Sequence, residues 1–207
     1  MGLLNLLLRD PVGFVLLAIP LLYSVILHEL AHGWVAYHMG DPTAKSLGRL
    51  SLNPLNHLDP MGTFALFLFG FGWAKPVPVN FNRLGDKHMG MILVSAAGIV
   101  TNMLLAFIAL FLNRLLSPSP SSITAELLYY LAQINIMLAA FNLIPLPPLD
   151  GSKILMGFAS PALQNLLFRL ERYGFFIIIA LLYFGVLNPV IHFFQWMILA
   201  FIRLLLP

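Results

Sequence analysis

"YSVILHELAHGWVAY", residues 23–37, places His28, Glu29 and His32 inside a run that is otherwise apolar. Such groups are costly in hydrocarbon and, where they occur, mark function. Read outward, the run begins at Pro11 and continues through the histidines to about Met39, where Gly40-Asp41-Pro42 stops a helix. The surroundings have the composition of lipid-facing sequence. Of the 207 residues, 60% are hydrophobic and 9% charged, against roughly 25% charged in a soluble domain. The stretch therefore reads as a membrane helix carrying a polar site, in an all-α polytopic membrane protein.

Further spans follow from runs free of Asp, Glu, Lys and Arg. Residues 89–113 cross comfortably, and residues 127–149 form another run whose helix must stop near Leu143 or Ile144, ahead of Pro145, Pro147 and Pro148. Residues 173–202 would reach about 45 Å as one helix, more than the roughly 30 Å core, and Asn188-Pro189 lies within them, so they read as two helices or one sharply broken one. The expected bundle has about five transmembrane helices, within a range of four to six. Residues 61–74 are too short to span and contain Gly62, Gly70 and Gly72. With "AKPVPVN" they predict a short re-entrant, β-hairpin-like segment at 61–80, because Pro76 and Pro78 suit only an edge strand.

The charges fit this layout. With the N-terminus outside, Lys45, Arg49, Lys75, Arg83, Lys87, Lys153, Arg169, Arg172 and Arg203 fall inside, and only Arg9 and Arg114 fall outside. The net charge of +3 is spread thinly, with no basic run of the kind that binds nucleic acid. The absence of cysteine excludes disulfides and thiolate ligands. Residues 1–11 lack the features of a cleaved signal, no soluble domain boundary is visible, and residues 1–207 are expected to form a single integral-membrane domain.

On a helix, His28 and His32 share a face and can both ligate one metal ion, with Glu29 beside it as a general acid and base. Zinc at a catalytic site takes three protein ligands and keeps one position open. Among the remaining acids, Asp10, Asp41 and Asp59 lie beside proline in turns, Asp86 lies among basic loop residues, Glu126 starts a helix, and Glu171 is flanked by Arg172. Asp150 follows the proline-broken "NLIPLPPL" on the membrane side of the histidines, where non-helical backbone must line protein or a wet cavity. It is the preferred third ligand, with helix capping as the alternative.

"HELAH" with "NLIPLPPLDG" resembles the site-2 protease family of intramembrane zinc metalloproteases, peptidase family M50. "SLGRLSLNPLNHLDPMGTF" and "GWAKPVPVN" are similar to signatures of its small prokaryotic members, without a PDZ or nucleotide-sensing domain. The resemblance implies one zinc ion per chain on His28, His32 and Asp150, Glu29 as the catalytic acid/base, and Asn142 as a group that holds substrate or oxyanion. It also implies a prokaryotic cell membrane. "AGIVTN" is similar to a family motif at Gly98 and Asn102, with Ile99 where proline is common. Asn102 then either reaches the site or bonds across helices.

The expected reaction is hydrolysis of a peptide bond in or near a transmembrane helix of a membrane-protein substrate, from a site nearer the cytoplasmic face. The substrate helix must unwind, and Val77 and Val79 are expected to pair with it by strand addition. A divalent-metal transporter and a non-catalytic scaffold are the alternatives. His57 and Asp59 read as loop hydrogen bonds and a cap, with a direct catalytic part as the alternative.

Overall fold

Proline, aspartate and serine start the long helices of this protein. A computed structural model describes residues 3–70 and 72–207. It contains α1 (Leu3–Arg9), α2 (Pro11–His38), α3 (Thr43–Ser46), α4 (Pro60–Phe69), α5 (Lys87–Leu116), α6 (Ile123–Asn142), α7 (Asp150–Phe158), α8 (Pro161–Tyr183) and α9 (Asn188–Leu205). Asp10 caps α2 by accepting from the Gly13 amide at 2.9 Å. Asp86 caps α5 through the amides of His88 and Met89. Each supplies an acceptor that the first helical turn lacks.

Among the described residues, four helices, α2, α5, α6 and α9, are long and apolar enough to cross a membrane. α8 is not among them, since Arg169, Glu171 and Arg172 interrupt it. The break expected between 173 and 202 falls between Tyr183 and Asn188 and gives two helices. α5 is the central element, packed against α2, α6 and α7. The fully buried alanines 106, 109, 132, 139 and 140 let α5 and α6 approach closely, in the small-residue manner of membrane bundles.

α9 corrects one part of the charge layout. Ile191, near its start, packs with Ile144 and Leu149, just beyond the end of α6. Ile198 and Ile202, further on, pack with Ile136, Ile99 and Ala106. α9 therefore runs antiparallel to α6 and parallel to α5, which carries Arg203 to the end shared with Arg114. The basic residues divide eight against three instead of nine against two.

The β-hairpin expected at 61–80 is not formed. Residues 60–69 are helical, and the described residues contain no strand, only one isolated antiparallel bridge between Leu58 and Ala74. The local chemistry explains the helix. Asp59 accepts from the Gly62 amide at 2.8 Å, Pro60 and Gly62 fall in the first turn, and no glycine or proline follows until Gly70, which ends α4 with a left-handed φ of 75°. Residues 72–80 lack regular structure and are held mainly by side chains. The Arg49 guanidinium donates to the carbonyls of Lys75 and Pro76, and the amides of Val77 and Asn80 donate to Glu29 and Asp41. With prolines at 76 and 78, alternate amide donors are missing, so the segment cannot complete a ladder.

Candidate metal centre

The four-residue spacing on α2 puts both imidazoles on one helix face, turned into the bundle, where His28 is 7% and His32 8% exposed. α7 begins at Asp150, which lies equally deep because residues 143–149 fold back after α6. Three atoms converge. The two Nε2 atoms are 3.0 Å apart, and Asp150 Oδ2 lies 3.1 Å from His28 Nε2 and 3.2 Å from His32 Nε2.

The surrounding hydrogen bonds set the protonation of this triangle. His32 Nδ1 lies 2.7 Å from the Val94 carbonyl, which only accepts, so Nδ1 carries a proton and the neutral ring has a bare Nε2. His28 Nδ1 donates likewise to Asn102 Oδ1 at 2.6 Å. Asp150 Oδ2 is buried and has no hydrogen-bond donor. Three buried lone pairs therefore face one another, and a cation reconciles them. Ligand atoms on a tetrahedral zinc ion are about 3.3–3.4 Å apart, close to the observed edges. The donor set of two neutral imidazoles and one carboxylate suits zinc.

Gly98 on α5 makes room for the histidines. A Cβ there would stand 2.5 Å from His28 Cε1 and 2.6 Å from Nε2 of both rings. Only hydrogen fits between α5 and the centre.

A cavity of about 290 Å³ opens beside the triangle, lined by Glu29, Val77, Val79, Asn142 and Lys153 among others. Glu29 Oε2 accepts from the Val77 amide at 2.7 Å. Asn142 donates to the Leu138 carbonyl at 3.0 Å and borders the same space. Asn102 does not line this cavity. It is fully buried behind His28 and donates to Asn135 Oδ1 at 2.8 Å, which removes it from the expected substrate-contacting set.

The remaining histidines and Asp59 lie elsewhere. His57 is buried, with Nε2 2.7 Å from the Ser51 carbonyl, and Asp59 caps α4. His38 stacks on Trp34, His88 meets the Gly157 carbonyl, and His192 contacts Gln195. Asp41 does more than cap a turn. Besides the Thr43 amide and hydroxyl, it accepts from the Asn80 amide at 2.6 Å and so ties the end of α2 to the segment over the cavity. Burial pushes its carboxyl upward. The hydrogen bonds from Thr43 and Asn80, with Arg83 nearby, outweigh that and hold it below its ordinary value.

Sequence reasoning missed Asn135, whose amide extends the hydrogen-bonded chain behind His28, and the Arg49 clamp. An asparagine in the middle of the apolar helix α6, seven residues before Asn142, was the available signal for Asn135.

Comparison with known proteins gives a consistent picture. The family model for Peptidase family M50 matches residues 114–185, which include Asn142 and Asp150. "Putative zinc metalloprotease YwhC" of Bacillus subtilis is 42% identical over 172 residues, covering 80% of this chain and 78% of that protein. "Putative zinc metalloprotease Rip2" of Mycolicibacterium smegmatis is 30% identical over 84% of this chain and 69% of its own length. "Zinc metalloprotease MJ0392" of Methanocaldococcus jannaschii is 28% identical over 73% of this chain and 37% of its own. No solved structure matches the chain at a significant level.

Proposed function

The chain belongs to peptidase family M50, and on that premise we propose that it is a zinc-dependent intramembrane endopeptidase that cuts in or beside transmembrane helices of other proteins. The observation that carries this reading is the meeting of three buried, proton-free ligand atoms beside a half-buried glutamate that needs no part in ligation. His28, His32 and Asp150 would hold one zinc ion. When bound, zinc supplies Lewis-acid polarisation of a carbonyl and eases deprotonation of water.

The chain's own residues supply the rest. Glu29 takes a proton from the attacking water and returns it to the leaving amine. Asn142 borders the cavity from the end of α6 and donates to the carbonyl oxygen as negative charge gathers there. The segment 72–80 closes the cavity on the other side, and an unwound substrate pairs along it at Val77 and Val79. Residues 1–207 act as one membrane domain in a prokaryotic cell membrane, with the site toward the cytoplasmic face, where eight of the eleven basic side chains gather.

The test reconstitutes wild type and Glu29→Gln in liposomes with a transmembrane peptide. Glu29→Gln is expected to keep its zinc and to lose cleavage by about 100-fold or more. Unchanged cleavage refutes the mechanism, and zinc flux across the liposome would point to transport instead.

A further inference from the structure

We propose that Asn135, on α6, is a positioning residue for the metal centre: through Asn102 it fixes which nitrogen of His28 carries the proton. The inference rests on the zinc reading above and adds to it a residue that touches neither metal nor cavity.

Hydrogen-bond direction is passed through three helices from a group that can act in one sense only. The Leu131 carbonyl can only accept, and the Asn135 side chain meets it at 2.8 Å, so the atom facing it is the amide nitrogen. Asn135 Oδ1 therefore faces the other way, toward Asn102, at 2.8 Å. An oxygen there requires a donor, so Asn102 presents Nδ2 to Asn135 and Oδ1 to His28. Oδ1 in turn requires a donor at 2.6 Å, which is Nδ1–H of the ring. Nε2 is left bare, on the side where Asp150 and His32 stand. A backbone carbonyl on α6 thus dictates a lone pair on α2.

Two comparisons sharpen this. His32 needs no such relay, because the Val94 carbonyl orders its ring directly. Ser24 also accepts from Asn135, at 2.8 Å, but a hydroxyl can donate or accept and so imposes no direction. Asn102 and Asn135 are completely buried, so water does not compete for these atoms. If Asn135 is removed, Asn102 loses the acceptor that holds its amide in one sense. The turned amide would donate to His28 Nδ1 and stabilise the ring form with hydrogen on Nε2, which cannot ligate.

The experiment uses the full chain in detergent, with zinc affinity measured by chelator competition. The imidazole 15N shifts of histidine-labelled, metal-free protein report the ring form directly. Asn135→Ala is expected to weaken zinc binding by about 10–100-fold, the range found when partners of ligating histidines are lost. It should also turn His28 from the Nδ1–H form into a mixture. Ser24→Ala removes a hydrogen bond from the same chain but no direction, and is expected to leave zinc affinity and the His28 ring form unchanged. Equal zinc affinity in wild type and Asn135→Ala overturns the proposal, and so does an equal loss in Ser24→Ala. If Asn135→Ala does not fold, the wild-type spectrum decides alone, since an Nε2–H ring at His28 overturns it. Absence of zinc binding in wild type would instead overturn the zinc reading, with the ring form still measurable.

Discussion

Gly98→Ala is the sharpest perturbation of the centre, because it adds one methyl group and removes nothing. The added Cβ would sit 2.5 Å from His28 Cε1 and 2.6 Å from both Nε2 atoms. Carbon atoms pack at about 3.5–4.0 Å, so something must move by about 1 Å. The rings cannot simply turn aside, since Asn102 and the Val94 carbonyl hold each from behind. Metal–ligand distances tolerate about 0.2 Å, so the required movement exceeds the tolerance several-fold. We expect zinc affinity to fall by at least about 100-fold, near 2.7 kcal/mol. Ile99→Ala is the matched control. Its side chain packs with Ile198 and Ile202, away from the histidines, so it should cost about 2–4 kcal/mol of stability and leave zinc content intact. The assay is zinc per chain after gel filtration, followed by chelator competition, with helix content checked by circular dichroism. A Gly98→Ala protein that holds zinc as tightly as wild type would refute the close passage of α5 over the site.

Three further outcomes are expected. Asp41 is held below its ordinary value of 3.8, so its contribution to stability is complete above that pH and is lost as pH falls through the folded value. Wild type should therefore lose melting temperature below about pH 4 more steeply than Asp41→Asn, and parallel curves would contradict the bond to Asn80. His57→Ala should lower stability by about 1–3 kcal/mol in a denaturant titration and keep full zinc, whereas zinc loss would put His57 in the centre after all. Val77→Pro deletes the amide that meets Glu29. It should keep zinc while peptide cleavage falls by about 10–100-fold, and undiminished cleavage would refute a working role for that contact.

The convergence of His28, His32 and Asp150 was legible because the chemistry is written in the residues themselves. Two histidines four apart declare a shared helix face, and an aspartate after a proline-broken run declares non-helical backbone at depth. The spans were legible for the same reason, since long uncharged runs have few alternatives in a membrane. What could not be read depended on tertiary partners. The 61–69 run looked like half of a hairpin because glycine and proline flank it, yet the Asp59 cap and an unbroken interior make it helical. Arg203 was placed by counting crossings, and the count depended on α8, whose three charged residues keep it from being a span. Asp41 resembles any aspartate before proline until Asn80 is brought against it. Asn135 carries no motif at all, and its importance lies in a carbonyl four residues earlier and an amide on another helix.

The choice of amides behind the histidines also follows from where the site lies. Ligating histidines are commonly ordered by a carboxylate or by a backbone carbonyl. Here His32 uses a carbonyl and His28 an amide oxygen, both neutral. Asp150 and Glu29 together bring two negative charges, and a divalent cation brings two positive ones, so the filled site would be electrically balanced. A carboxylate at 102 would order His28 equally well but leave the bundle with an unbalanced buried charge, which costs several kcal/mol in a low-dielectric interior. A neutral acceptor avoids that charge but loses the fixed sense of a carboxylate, because an amide can present either end. Ordering His28 without charge therefore requires a second group to order the amide, and in this fold Asn135 and the Leu131 carbonyl occupy that place.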